Sequence, residues 1–181
     1  MANLKLKNPS GGSLNLVSAD GASDLTVTFP AVTGTAMVSA NMPAFSAYQG
    51  TTQTLTGNVY TKIALNVERF DTNNNFDSTT NYRFTPTVAG YYQINYNIYG
   101  TSSNSITQLV GALYKNGSVY EYGIINLLNN SQAYTSSSLV YMNGTTDYLE
   151  LYINVNGTGT LGATEAGGAT NFMSGVLVRA A

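Results

Sequence analysis

A strict alternation of apolar and polar residues in the middle of the chain is the feature that most limits its fold. Residues 82–98 read YRFTPTVAGYYQINYNI. Every second position of the run is apolar: Tyr92, Ile94, Tyr96 and Ile98. Because successive side chains of a strand point to opposite faces, this spacing predicts a β-strand with one buried face. We expect Phe84 to end the strand before it and Gly90 to adopt a backbone conformation that other residues avoid.

The same period of two recurs along the chain, and no segment shows a sustained helical period of apolar residues. It is seen in residues 25–29, 63–67 and 149–155. Between these segments lie pairs that favour tight turns: Asn116-Gly117, Asn143-Gly144, Asn156-Gly157 and Gly167-Gly168. Short alternating strands separated by such turns predict an all-β sandwich or barrel.

Charge is scarce in this chain. Of its 181 residues only 9% are charged, and the formal net charge is −2. No basic patch is visible, which argues against nucleic acid as a partner. No apolar run is long enough to cross a membrane, so we expect no membrane insertion. The N-terminal residues lack the apolar core of a signal peptide, so we expect release by another route, such as cell lysis.

Several kinds of catalytic chemistry have no residues to carry them. The sequence contains no His and no Cys, which removes the usual general base, thiol nucleophiles and zinc ribbons. The glycine-rich segment GTGTLGA at residues 157–163 has no Lys and no following helix, so it is interpreted as a loop and not as a phosphate site. These observations predict a protein that is not an enzyme and needs no cofactor.

Carboxylates leave one enzyme class and one metal open. A hydrolase with paired acids would draw on Glu68, Asp71, Asp77, Glu121, Asp147, Glu150 and Glu165. The alternative, which we favour, is that these are solvated surface groups. Asp71 and Asp77 flank TNNNF at residues 72–76 and are weak calcium candidates. The alternative there is an Asn-rich turn whose side chains cap their own backbone.

Tyrosine is abundant, with 14 residues, and two roles remain open for it. Aromatic rings stack on sugars, but they also fill cores and pack across strands. For Tyr92 and Tyr96, on the apolar face, we expect core packing. Candidates for contacts with a partner or a glycan are Tyr91, Tyr99, Tyr120 and Tyr122.

A shift in composition near residues 40–44 predicts two parts. Residues 1–43 are rich in small residues and hold too little apolar mass to be stable alone, so we expect a β-rich anchor or stem that associates with copies of itself or with another protein. Residues 44–181 are predicted to form one compact β domain.

The second part resembles the C1q/TNF-like globular domain over about residues 44–179. The motif positions are Phe84, Gly90, Tyr92, Ile94 and Tyr96, with Phe172 and Gly175 in the last strand. Residues 45–48 are similar to the opening strand of that family, and residues 75–86 to a second segment. Asn81 stands where the family often has Gly, Thr85-Pro86 lacks an intervening Cys, and no collagen-like stalk precedes the domain. The resemblance implies a ten-stranded jelly-roll sandwich that forms homotrimers.

The first part resembles a short motif of bacteriophage fibre proteins. Residues 26–30, TVTFP, and 33–36, TGTA, carry that motif. Such segments commonly form intertwined trimeric β stems, and a threefold stem and a threefold head share one axis.

Together these resemblances predict a non-enzymatic phage virion structural protein at the virion surface. Because the chain starts at Met and is short, a capsid decoration or head fibre is favoured over a tail adhesin. The expected partners are the protein itself, as a homotrimer, and a capsid or tail protein bound through the N-terminal segment. The alternatives are a tail-fibre receptor-binding protein that attaches to host surface glycan, and a bacterial C1q-like lectin-type module.

Overall fold

The computed structural model describes residues 3–7, 9–17, 31, 42–101, 107–126, 131–156, 159–161 and 170–181. It divides the chain into two compact units, Met1–Gly34 and Thr35–Ala181. The predicted boundary at residues 43 and 44 stays a prediction, because residues 32–41 lie outside the described part.

Within its described residues, the first unit contains one antiparallel hairpin. Strand β1 (Asn3–Lys7) pairs with β2 (Ser13–Val17). Leu6 and Leu14 are cross-strand partners on it, and both side chains are at least half exposed. The predicted strand at residues 25–29 and the phage-type segments at 26–30 and 33–36 lie outside the described residues.

The larger sheet of the second unit has seven strands, all paired antiparallel. Their bounds are β3 (Ala44–Tyr48), β4 (Gln53–Leu55), β6 (Val67–Asp71), β9 (Gly90–Thr101), β12 (Ser131–Met142), β14 (Gly159–Leu161) and β15 (Phe172–Ala180). Strand β9 lies at its centre, because β12 pairs with one edge and β15 and β14 share the other. The first and last described strands of the unit, β3 and β15, are neighbours.

The smaller sheet has six strands, again antiparallel. They are β5 (Thr61–Lys62), β7 (Phe76–Asp77), β8 (Arg83–Phe84), β10 (Gln108–Lys115), β11 (Ser118–Asn126) and β13 (Leu149–Val155). Strand β11 forms one end of the strand order. The predicted all-β jelly-roll sandwich is confirmed. The structure resolves it into more strands than the expected ten, because pieces of two or three residues pair separately.

The core lies between the two sheets and is built on stacked aromatic rings. Phe45 of β3 stacks on Phe84 with ring centroids 4.1 Å apart, and on Phe76 at 5.2 Å. Tyr92 meets Phe84 edge-on at 5.4 Å. All four rings are buried. These contacts link the opening strand, the β7–β8 hairpin and the central strand into one cluster.

The central strand matches the alternation read from the sequence. Its inward side chains are fully buried: Tyr92, Ile94, Tyr96 and Ile98. Phe84 ends β8 with its ring in the core, as expected. A Cβ atom at Gly90 would lie 2.3 Å from the carbonyl oxygen of Arg179 on β15. At Gly175 it would lie 2.6 Å from Ile94 and 2.7 Å from Phe45. Both glycines are therefore required by close strand packing.

The structure describes two of the four predicted turn pairs in full. Asn116 and Gly117 join β10 to β11 with φ angles of 54° and 77°, as a two-residue hairpin requires. Gly144 has a φ of 71° between β12 and β13. The pairs at 156–157 and 167–168 include residues outside the described part.

The strand predicted over residues 63–67 is wrong in detail. Ile63 and Leu65 are buried as expected, but they lie between β5 and β6 and not within a strand. The backbone N–H of Leu65 donates to the carbonyl of Ile63 at 3.0 Å, so the chain bends there and leaves the ladder.

Candidate functional site

The outer face of the larger sheet ends in a cluster of exposed apolar side chains. Its members are Tyr91, Leu139, Tyr141, Val176 and Val178. Tyr91 and Tyr141 are cross-strand partners whose rings meet edge-on with centroids 5.4 Å apart. This apolar cluster draws on β9, β12 and β15. Of the four tyrosines predicted from the sequence to contact a partner, Tyr91 lies in it.

Along β9 and β12 the rest of that outer face is polar but uncharged, and its charges lie on other strands, with Arg179 of β15 as the register partner of Tyr91 and Arg69 on β6. Neither β9 nor β12 contains a charged residue. Gln93 donates to the hydroxyl of Ser137 at 2.7 Å, and Ser137 donates to Asn95 at 3.0 Å. Further along, Thr135 donates to Asn97 at 2.5 Å. These side chains hydrogen-bond to one another, so β9 and β12 present neutral groups to whatever covers them. Tyr99 is half-buried on the same strand.

Strand β11, at the edge of the smaller sheet, lies against β12 of the larger sheet. The Glu121 carboxylate accepts hydrogen bonds from the hydroxyls of Ser136, at 2.9 Å, and Ser138. The Tyr120 hydroxyl donates to the carbonyl of Leu139 at 3.5 Å. Tyr120, predicted as a partner contact, thus lies beside the apolar cluster and exposes about half of its side chain.

Tyrosines also line the outer face of the smaller sheet. Tyr114 of β10 stacks on Tyr152 of β13 with centroids 4.0 Å apart, and Tyr60 lies 6.0 Å from Tyr114. Burial, and next the nearby Glu150 carboxylate, raise the pKa of Tyr152 to about 12. Tyr122, which is exposed, pairs across strands with Ala112, and Ala112 pairs with Tyr152. Of this row the sequence predicted Tyr122 alone.

A single cross-strand line of polar residues crosses the same face. Asp77 pairs with Arg83, Arg83 with Glu150, and Glu150 with Tyr114. Paired residues in adjacent strands point to the same side of a sheet. Both carboxylates on this line have other partners. Lys62 lies 2.5 Å from Glu150, and Asp77 accepts from the turn of residues 79–81.

The guanidinium of Arg83 lies over the ring of Tyr148, 4.4 Å from its centroid. Among the described residues it has no hydrogen bond and no ion pair. It lines a polar cleft of about 480 Å³ together with Glu68, Asn74, Asp77, Asn81 and Thr85. Asn74 and Tyr82, in the loops around this cleft, have φ angles of 54° and 50°. A positive φ is unusual for a residue as bulky as Tyr.

The two calcium candidates are engaged in capping turns. Asp71 accepts from the backbone N–H of Asn73 at 3.2 Å and of Phe76 at 2.6 Å. Asp77 accepts from the N–H groups of Thr80 at 2.9 Å and Thr79 at 3.0 Å. These bonds hold the pKa of Asp77 well below its usual range. The geometry is that of the Asn-rich turn weighed against calcium, and calcium itself stays an untested prediction.

Other ionisable groups form no metal cluster in the part of the chain that the structure describes. No three of its His, Cys, Asp or Glu residues lie close enough to hold an ion. Over the same residues, no helix is long and apolar enough to cross a membrane.

Sequence reasoning named none of Arg83, Tyr148 and Tyr152 as a site residue. Arg83 lies in residues 75–86, which carry the family resemblance, but it was not singled out there. For Tyr152 the local signal is the alternation of β13, which places it on the face opposite to the buried Leu151 and Ile153. That signal identifies an outward tyrosine but not its neighbours.

Comparisons with known proteins give a fold and no sequence relative. No protein-family model matches the chain, and no curated protein matches its sequence. Crystal structures of murine APRIL at pH 8.5 and pH 5.0 match with TM-scores of 0.57 and 0.59 and 8% identity, over 76% of this chain and 99% of theirs. The structure of Eiger TNF from S. frugiperda matches with a TM-score of 0.57 and 9% identity, over 77% and 93%. The second unit is therefore a TNF-like jelly roll.

Proposed function

We propose that residues 44–181 form a non-enzymatic binding or structural module that works as a homotrimer around a threefold axis. The observation that carries this proposal is the outer face of the larger sheet. Its two longest strands, β9 and β12, are uncharged, and the apolar cluster lies where β9 begins and β12 ends. Interface cores are depleted of charge and enriched in aromatic residues. The TNF-like fold supports the same assembly, because the C1q/TNF resemblance implies tight homotrimers.

The geometry of the two surfaces favours a ring. The apolar cluster lies on a sheet face, whereas Tyr120 lies on the adjoining edge of the sandwich. When the face of one copy packs against the edge of the next, the contact is heterologous, and such contacts form a ring when the rotation between copies closes, here after three steps. Three copies then bury the apolar cluster of each chain.

Light scattering of the purified protein, with and without residues 1–43, tests this proposal. We expect the mass of three chains in both forms. A trimer lost on truncation would place the main contact in the N-terminal segment instead. A monomer in both forms would overturn the proposal.

The proposed location of this trimer is the surface of a phage virion, as a capsid decoration or head fibre. What supports it is the phage-type motif of the N-terminal segment. The exposed Leu6 and Leu14 of the β1–β2 hairpin offer an apolar pair for a capsid or tail protein. In this arrangement the N-terminal segment attaches the trimer and the jelly roll projects from the particle, where trimerisation multiplies weak contacts by avidity.

Immunogold labelling of virions recovered from the source of this sequence, with antibody to residues 44–181, tests the location. Label distributed over the capsid is expected. Label at the tail tip would favour the alternative of a receptor-binding tail fibre, and label absent from particles would contradict both.

A further inference from the structure

We propose that the outer face of the smaller sheet is a binding site for an uncharged saccharide, centred on Arg83 and the cleft that it lines. This inference does not depend on self-association, because the site uses no residue of the apolar cluster, and of the cleft residues only Glu68 belongs to a strand of the larger sheet. It concerns a different set of residues from the four tyrosines named from the sequence.

The first argument is that Arg83 has donors to offer. Its two cross-strand neighbours are carboxylates, yet Asp77 is saturated by its own turn and Glu150 pairs with Lys62 at 2.5 Å. The guanidinium is held in place by the Tyr148 ring, 4.4 Å away, and has no hydrogen-bond partner among the described residues. A guanidinium carries five N–H donors in a fixed fork. These donors are therefore positioned for a ligand.

The second argument is the chemistry of the cleft. Its volume of about 480 Å³ falls within the range of small-molecule sites, roughly 300–1,000 Å³. Amides from Asn74 and Asn81 and the hydroxyl of Thr85 line it beside Arg83. Hydroxyl groups of a sugar donate and accept at once, which matches such a mixture of donors and acceptors.

The third argument is the row of tyrosines next to the cleft. The cross-strand line from Asp77 through Arg83 and Glu150 ends at Tyr114. Three strand spacings separate its ends, which is about 14 Å. Tyr114 stacks on Tyr152 and lies beside Tyr60, whose ring is partly exposed. Rings of this kind present apolar faces on which a pyranose packs while its hydroxyls reach the polar groups.

Charge decides between a neutral and an acidic ligand. An Arg in a cleft ordinarily favours carboxylate or phosphate. Here Glu68 and Asp77 line the same cleft and outnumber the single guanidinium, so an anion meets like charges. The turn that contains Asp77 is locked by hydrogen bonds to Thr79, Thr80 and Asn81, so that carboxylate stays in place. An uncharged saccharide avoids this repulsion.

Titration calorimetry of the full chain against maltotriose, cellotriose, mannotriose and N,N′,N″-triacetylchitotriose tests the proposal, with an oligogalacturonate as the acidic probe. We expect at least one neutral trisaccharide to bind and the acidic probe not to bind. Arg83→Gln is expected to weaken binding about tenfold or more, since a hydrogen bond to a charged group is lost.

Arg69→Gln is the matched control. Arg69 also lies over aromatic rings, those of Tyr48 and Phe172, but on the larger sheet. It should leave binding unchanged. Should Arg83→Gln fail to fold, Thr85→Val keeps the shape of the cleft and removes one hydroxyl, and it should weaken binding as well.

Failure of every neutral probe, binding of the acidic probe alone, or equal losses in the Arg83 and Arg69 variants would overturn the proposal. The Leu139→Glu variant, which is aimed at self-association, should bind the saccharide as the parent does. Saccharide binding and trimer formation are thus tested separately.

Discussion

The side-chain amides of Asn171 and Gln49 meet in the interior, where Nδ2 of Asn171 donates to Oε1 of Gln49 over 2.8 Å. Both residues are fully buried. Oδ1 of Asn171 also accepts from the backbone N–H of Tyr99 at 2.6 Å, and its carbonyl accepts from the N–H of Gln49 at 2.9 Å. The hydrogen bonds of Asn171 therefore join the end of β3, the start of β15 and the central strand β9.

Replacing Asn171 with Ala should lower the free energy of unfolding by about 2–4 kcal/mol, because buried polar groups of Gln49 and Tyr99 lose their partner. Chemical denaturation measures this change. Asn126→Ala, at an exposed amide, is the control and should stay within about 0.5 kcal/mol of the parent. Equal effects of the two substitutions would show that the buried amide cluster does not stabilise the fold.

Gly123→Ala should lower the free energy of unfolding, because Gly123 of β11 packs closely against Tyr134 of β12. A Cβ atom at Gly123 would lie 2.3 Å from the ring of Tyr134, which also covers Gly111. The expected loss is about 1–3 kcal/mol, the usual cost of overpacking. In a Tyr134→Ala background the same substitution should cost much less, and a double-mutant cycle from denaturation curves gives the coupling. Additive effects would contradict the close packing of these residues.

Leu139→Glu should prevent self-association, because it places a charge in the apolar cluster and repeats that charge in each copy around the axis. Val59→Glu is the matched control. Val59 is also a half-exposed aliphatic residue, but it lies just before β5 of the smaller sheet and belongs neither to the apolar cluster nor to β11. Sedimentation velocity should show the parent and Val59→Glu as trimers and Leu139→Glu as a monomer. Retention of the trimer by Leu139→Glu would exclude that face.

The Asp77 carboxylate should make stability depend on pH in the acid range. Its pKa is lowered in the folded state by backbone hydrogen bonds from Thr80 and Thr79. Its contribution is therefore present above the unfolded pKa, about 3.9, and is lost as the pH falls toward the folded value. Asp77→Asn should be less stable at pH 7, by about 1 kcal/mol for the weakened turn bonds, and its unfolding free energy should fall less below pH 4.

The pKa of Asp147 is also lowered in the folded state, so Asp77→Asn should keep part of the loss of stability at acid pH. Burial alone would raise the pKa of Asp147, but bonds from Asn116 and Lys115 and from the Asn143 backbone outweigh it and lower the pKa. Denaturation curves at several pH values measure both effects. If the unfolding free energy of Asp77→Asn and of the parent fell identically with pH, a lowered pKa of Asp77 would be contradicted.

Alkaline titration should reveal a late group among the 14 tyrosines. Burial raises the pKa of Tyr92, Tyr96 and Tyr114, and that of Tyr152 to about 12. Because these folded values exceed the unfolded value near 10, the stabilisation is present below about pH 10 and lost as the pH rises through them. Phenolate absorbance should show a late phase, and Tyr152→Phe should remove one residue from it. An unchanged late phase would contradict the burial of Tyr152.

Local patterns were enough to predict much of the fold. The alternation in residues 92–98 identified the central strand and its buried face, and Asn116-Gly117 identified a hairpin turn. Residues 63–67 show the limit of such reasoning, since buried apolar residues with the same spacing lie in a bend. The pattern records which side chains are buried, whereas strand pairing depends on partners far away in the sequence.

By itself the sequence determined an all-β chain with inward rows of aromatic and aliphatic residues, because side-chain direction in a strand follows from local spacing. Only the tertiary structure decided which outward residues meet. Asp77, Arg83, Glu150 and Tyr114 come from four strands and lie on one line through long-range register. A shift of one residue in any pairing would turn that strand's row to the other face of the sheet. The apolar cluster is for this reason a property of the packed sheet, and no single segment contains it. The polar cleft differs, because all of its lining residues except Glu68 lie in residues 74–85, and only its position beside the tyrosine row depends on the register of distant strands.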